Sequence, residues 1–198
     1  MSNYKENCVF SCKDGDYFMT WLVETLGPVI FGTKPSELLS FSKLNFESQS
    51  KIEKIEKHMG KCSRIKYKVF EFKKNSIKVL FYNPSTMDKN LRDFKNKKFL
   101  QNMGYPEPYA LEVYIELLIL KMQGGEIPHE IGIFLGYPLK DIIGFIGHPS
   151  LKLTKVNGWR VYGDPRLSDK IHKEFSEARK QIKELLQFNK PESILLSL

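Results

Sequence analysis

Apolar residues recur along this chain at two spacings, and the switches between them set out its elements. Tyr17, Phe18, Trp21, Leu22 and Leu26 repeat at helical spacing behind Asp16, a residue able to cap a helix. Gly27-Pro28 interrupts that helix, and Gly32-Thr33-Lys34-Pro35 forms a turn. Pro35 is expected to open a short helix over 35–41, with Glu37 in its first turn. Residues 47–59 read as an exposed amphipathic helix with Ile52, Ile55 and Met59 as its apolar stripe and Gly60 as its stop. Residues 65–73 (IKYKVFEFK) alternate, as a strand with one wet face does, and 77–82 (IKVLFY) form its hairpin partner beyond the Asn75-Ser76 turn.

A Lys-rich helical stretch is predicted over 86–102, ending at Gly104. Tyr105-Pro106-Glu107-Pro108 is a stiff turn, and 109–122 is the most apolar helix, expected at the centre of the core. Two short helices follow, each opened by proline and closed by glycine: 128–135 before Gly136, and 138–146 before Gly147. A second hairpin pairs 151–156 with 159–162 across Asn157-Gly158, the strongest short-range hairpin signal. A long helix starts at Pro165 or Ser168 and runs to about residue 187.

The order of helices, hairpin, helices, hairpin and helix predicts an α+β fold. In it, a small antiparallel sheet built from the two hairpins has helices packed on one side. The 198 residues suit a single domain over 16–190, with a flexible arm at 1–15 and an apolar tail at 191–198. No internal repeat or low-complexity block interrupts it.

Charge changes the picture regionally. The net charge is +8, yet residues 51–100 hold 15 Lys and Arg against 5 Asp and Glu, while the other 148 residues hold 16 against 18. Such a surplus raises nucleic-acid binding through 51–100 as one reading. Against it, 26 of the 31 basic residues are lysine, whereas base readout and phosphate forks favour arginine. Nucleic acid is therefore not the expected partner. Three cysteines (Cys8, Cys12 and Cys62), an odd number with no secretory signal, fit a reducing cytoplasm, and no zinc-like spacing accompanies them. The apolar runs are too short for a membrane span of about 20 residues, so no membrane is expected as a partner.

Candidate chemistry gathers in 124–149, where six glycines and three prolines fall within 26 residues. Glu130 suits the positive end of the helix opened by Pro128. His129 beside free amides could hold an anion or serve with Glu130 in acid–base chemistry. The sequence is not His-Glu-x-x-His, because position 133 is Ile. Gly132 and Gly136 share a face that admits a flat ligand or, more simply, a neighbouring helix. In the second short helix only Lys140 and Asp141 are polar, which argues against a DNA-reading helix. Lys34 in its turn could bind an anionic group, although Walker spacing is missing. In the second hairpin, strand alternation groups Arg160 with Tyr162 and Trp159 with Val161, so Arg160 and Tyr162 could form a ligand wall or ordinary cross-strand packing. No dinucleotide fingerprint or nucleophilic triad stands out, and the residues name no cofactor and no metal.

The run from Pro128-His129-Glu130-Ile131-Gly132 through Gly136-Tyr137-Pro138 to Asp141 and Ile146 resembles the signature of a domain-of-unknown-function family of anaerobic Gram-positive bacteria. The resemblance extends to Gly158-Trp159-Arg160-Val161-Tyr162, to Gly32-Thr33-Lys34-Pro35 and to the Gly104-Tyr105 turn. It carries no assigned activity and implies only a loose association with flavodoxin and iron or haem handling. Members often have a cysteine before the Gly-x-Lys-Pro turn. Here Leu26-Gly27-Pro28-Val29 holds none, so no thiol-dependent role is implied.

The expected function is binding of a small molecule or a protein partner. The surface lies between the Lys34 turn, the segment from His129 to Tyr137 and the strand with Trp159, Arg160 and Tyr162. The alternative is an enzyme or accessory factor of redox, iron or haem metabolism that uses His129 and Glu130.

Overall fold

A computed structural model describes residues 17–60 and 62–197. The arm expected over 1–15 and the cap expected at Asp16 lie outside them. The fold is α+β, and its centre is β3 (Ser76–Tyr82), the middle strand of an antiparallel sheet in the order β1-β3-β2, with β1 at Ser36–Ser42 and β2 at Lys66–Phe72. Five consecutive residues of β3, from Lys78 to Tyr82, are buried. Apart from Lys78 this run is apolar, as in a strand covered on both faces.

Alternation along β3 sends its side chains into two separate cores. Val79 and Phe81 join a cluster with α1 (Tyr17–Ile30), α2 (Glu47–Met59), α8 (Arg166–Leu185) and α9 (Pro191–Ser197). Leu80 and Tyr82 join a second cluster with α3 (Pro84–Arg92), α4 (Phe94–Asn102), α5 (Leu111–Gln123), α6 (Ile131–Phe134) and α7 (Leu139–Ile146). Helices therefore cover both faces of the sheet, where the sequence suggested one. The second hairpin, β4 (Leu153–Asn157) with β5 (Trp159–Tyr162), stands apart as its own two-stranded sheet.

Four further differences stand out. Residues 36–42 form strand β1 rather than a helix. The sequence SELLSFS pairs along its whole length with β3, from Ser36 opposite Tyr82 to Ser42 opposite Ser76. Tertiary pairing overrides the helix-opening proline. The stretch over 86–102 is two helices, because the Asp93 carboxylate accepts hydrogen bonds from the Lys95 and Asn96 amides and starts α4 afresh. Helix α5 is not central: Tyr114, Ile115, Leu118 and Met122 face the core, whereas Val113 and Leu120 are exposed. The segment expected as a tail is helical over Pro191–Ser197 and buries Ile194 and Leu195 with α1.

The glycine-rich corner of α6 and α7 is clamped from several sides. Helix α6 ends in paired hydrogen bonds, from the Tyr137 amide to the Gly132 carbonyl (2.8 Å) and from the Gly136 amide to the Ile133 carbonyl (2.9 Å). Gly136 sits at φ +79°, and a Cβ there would lie 2.5 Å from Pro35 Cδ. Asn90 donates to the Ile133 carbonyl (2.7 Å) and the buried Ser36 hydroxyl to the Phe134 carbonyl (2.7 Å). The carbonyls a helix end leaves over are thus satisfied by α3 and β1. Gly132 packs against Ile142, so the small face first noted at Gly132 and Gly136 serves close packing.

Helix α7 meets β5 through Gly144, where an added Cβ would fall 2.4 Å from Tyr162 Cγ and 2.5 Å from its Cβ. Those atoms lie at the stem of the ring and cannot swing aside. With two immovable atoms so close, overpacking falls in the upper part of its usual range of about 1–3 kcal/mol, and after the ~1 kcal/mol that alanine returns in helix propensity Gly144→Ala is expected to destabilise the protein by about 1–2 kcal/mol net. A lowered urea midpoint with an unchanged slope checks this; an unchanged or raised midpoint contradicts the close approach.

Candidate functional site

The corner and the second hairpin enclose a cleft of about 500 Å³. Ile127, Pro128, Ile131, Ile142 and Phe145 give it an apolar lining, and His129, Tyr137, Asp141, Trp159 and Arg160 supply its polar atoms. The lining is therefore mostly apolar with a few placed polar groups.

The wall of the cleft is held by one carboxylate. Asp141, on the first turn of α7, is 2% exposed. Its Oδ2 accepts from Trp159 Nε1 (2.8 Å) and from the Ser168 hydroxyl (2.7 Å). Its Oδ1 accepts from the Tyr162 amide (2.8 Å) and from Lys140 Nζ (2.6 Å). Lys140 spends its remaining protons on the Tyr162 carbonyl and on Ser168 Oγ, both at 2.8 Å. The group ties α7, β5 and α8 together with its polar atoms engaged, the condition under which a buried charge is tolerated. Burial raises the Asp141 pKa, but the bonds from Lys140, the Tyr162 amide, Trp159 and Ser168 outweigh it and hold the carboxyl below its ordinary value.

That anchorage sets the aromatic wall. Trp159, fixed through its indole N–H, stacks on Tyr137 with ring centroids 4.6 Å apart and planes 15° from parallel. His172 and Phe175 of α8 approach the same indole at 6.0 and 6.3 Å. At the cleft mouth the half-exposed Phe145 ring is met by His129 (5.1 Å, edge-on) and by the Arg160 guanidinium (5.5 Å).

Of the residues singled out in the sequence, His129, Tyr137, Trp159 and Arg160 come together here. The other three do not line the cleft. Glu130 is 1% exposed, and its Oε1 accepts from Lys121 Nζ at 2.7 Å, with the Tyr105 hydroxyl at 3.4 Å. Although adjacent in sequence, Glu130 and His129 occupy different surroundings. Lys34, expected as a turn lysine open to an anion, is 6% exposed; it pairs with Glu37 at 2.8 Å and lies over the Tyr137 and Phe175 rings. Tyr162 packs on Gly144, so Arg160 shares the cleft with Trp159 instead of with Tyr162. Asp141 was missed. Its signal was a lone Lys-Asp pair in an otherwise apolar helix.

The Lys-rich stretch finds carboxylates from elsewhere in the chain. Lys66 and Lys68 face Glu112 (3.8 and 3.5 Å), Lys68 also faces Glu116 (3.9 Å), and Lys97 faces Glu107 (3.3 Å). These exposed pairs add little stability, but they reduce the local surplus. Among the described residues no group of three or more His, Cys, Asp or Glu is placed to hold a metal ion, and no helix is long and apolar enough to cross a membrane.

An α+β scaffold with a mostly apolar cleft between a clamped helical corner and a separate hairpin is the class this geometry defines. The chain belongs to the family described as "Protein of unknown function (DUF3793)", which it matches over residues 22–195. No curated protein and no solved structure matches it.

Replacing Asp141 by Asn removes the charge opposite Lys140 and turns an amide toward donors, which costs about 3 kcal/mol or more. Because the folded pKa is depressed, the stability Asp141 contributes is present in full above the ordinary carboxylate value of about 3.9 and disappears as pH falls through the lower folded value. Urea unfolding between pH 2 and 7 is expected to show a stability gap between wild type and Asp141→Asn that narrows toward the acid end. A gap that stays constant across that range contradicts the assignment.

Proposed function

We propose that this protein is a small-molecule binding protein and that the cleft at α6, α7 and β5 is its site. The observation that carries this reading is the enclosure of a mostly apolar cleft of about 500 Å³ by elements fixed independently of any ligand. The Asp141 knot holds one wall, and the hydrogen bonds of Ser36 and Asn90 hold the other. Preorganisation of this kind reduces the ordering cost of binding. A concave site also suits a small molecule better than a flat protein face.

Acid–base catalysis by His129 and Glu130 finds less support. The Glu130 carboxylate is engaged by Lys121, and His129 has no carboxylate partner among the described residues. A bound ligand would meet an aromatic wall, apolar side chains and the polar rim of His129 and Arg160.

Amide NMR of the labelled protein against a small fragment library is expected to shift resonances of residues 127–132, 141–145 and 159–160 together. His129→Trp, at an exposed position where extra bulk leaves the core untouched, is expected to fill the cleft and abolish those shifts while the rest of the spectrum is kept. Fragments that perturb only other surfaces, or bind the filled variant equally well, contradict the site.

A further inference from the structure

The polar groups of the cleft restrict the charge its ligand can carry. Asp141 supplies the only carboxylate in the lining, and four donors already occupy it. The Trp159 N–H is one of those four, so it is not available either. The Tyr137 hydroxyl is pushed up to about 12 by burial, with Glu37 adding to the shift, and stays protonated at neutral pH.

What remains open is Arg160. Its guanidinium lies on the Phe145 ring and has no hydrogen-bond or ion-pair partner among the described residues. It is permanently charged and offers five N–H donors and no acceptor. His129 meets the same Phe145 ring edge-on at 5.1 Å, and its ring also has no hydrogen-bond partner among the described residues. The cleft thus presents an unpaired cation above an apolar floor and no available negative charge.

Resting on the binding function proposed above, we infer that the ligand is an apolar acid: a hydrophobic, ring-sized body with one anionic head, carboxylate or phosphate, that pairs with Arg160. The body lies against Ile131, Ile142 and the Tyr137–Trp159 wall, and the head sits at the mouth beside Phe145. Arg160 is the residue that sets specificity for charge. Anions with no apolar body gain nothing from the floor, and neutral apolar molecules gain nothing from the rim.

Three naphthalene probes with one shared body test this: 2-naphthoate, 2-naphthyl phosphate and naphthalene-2-methanol. Their dissociation constants are read from the cleft amides of wild type and Arg160→Gln. At least one anionic probe is expected to bind wild type about tenfold or more tighter than the alcohol, as a charge-assisted hydrogen bond warrants. Arg160→Gln, a change at an exposed position, is expected to bring that probe down to the affinity of the alcohol and to leave the alcohol unchanged. Whichever anion shows the larger Arg160-dependent gain identifies the head as carboxylate or phosphate. If all three probes bind the cleft equally in both proteins, the inference about charge is overturned and the cleft remains a binding site. If an anion is preferred but Arg160→Gln does not change the preference, Arg160 is not the recognising group and the inference is likewise overturned. If none of the three shifts the cleft amides, the binding function and this inference fall together.

Discussion

A single buried carboxylate holds the second hairpin to the helical body. Asp141 receives four hydrogen bonds at 2.6–2.8 Å, one each from α7, the β5 backbone, the Trp159 indole and α8. In a low-dielectric setting each of these bonds is stronger than it would be in water, and an unmatched donor would be correspondingly costly. The hairpin itself is poorly buried, since every residue of β4 except Asn157 is exposed and in β5 only Val161 is buried; beside the carboxylate it is held by Lys140 on the Tyr162 carbonyl, by Lys155 on Asp169 and by the packing of Tyr162 on Gly144. Without the carboxylate, nothing among the described polar contacts fixes the indole that stacks on Tyr137. The wall of the cleft is therefore an electrostatic construction set on an apolar scaffold.

That scaffold is organised by β3. A strand that sends alternate side chains into two cores couples α1, α2, α8 and α9 on one side to α3 through α7 on the other. The corner of α6 and α7 belongs to the second core, yet it is pinned by β1 through Ser36 and by α3 through Asn90. Its interior, from Ile131 to Phe134, is buried, and Ile131 and Gly132 from it line the cleft. Rigid elements supporting a site in this way position side chains better than loops do.

How much of this was legible depended on whether the signal was local. Asn157-Gly158 named its hairpin, Gly136 and Gly147 closed their helices, and the stripe of Ile52, Ile55 and Met59 gave α2 its bounds. Strand β1 was not legible, because SELLSFS becomes a strand only when β3 lies beside it. Lys34 looked like a turn lysine open to an anion because its partners are contributed by three elements: Glu37 on β1, Tyr137 beyond α6 and Phe175 on α8. Proximity in sequence misled at His129 and Glu130: both lie in the turn before α6, yet Glu130 is buried against Lys121 while His129 is exposed beside Phe145. Asp141 was visible, with Lys140 beside it, as a polar residue out of place, but its other three donors come from positions 18 to 27 residues away, which no local pattern encodes. The lysine surplus was read correctly as regional, yet its partial pairing with Glu107, Glu112 and Glu116 is a property of packing.

The most direct measurement of the central interaction is hydrogen exchange at the two tryptophan indoles and at the Tyr162 amide. Trp159 donates its N–H to Asp141, whereas Trp21 is 44% exposed and serves as the internal reference. The Trp159 indole and the Tyr162 amide are expected to exchange slowly and at similar rates, because both open only when the knot releases, and the Trp21 indole is expected to exchange fast. A Trp159 indole that exchanges as fast as that of Trp21 would contradict the account.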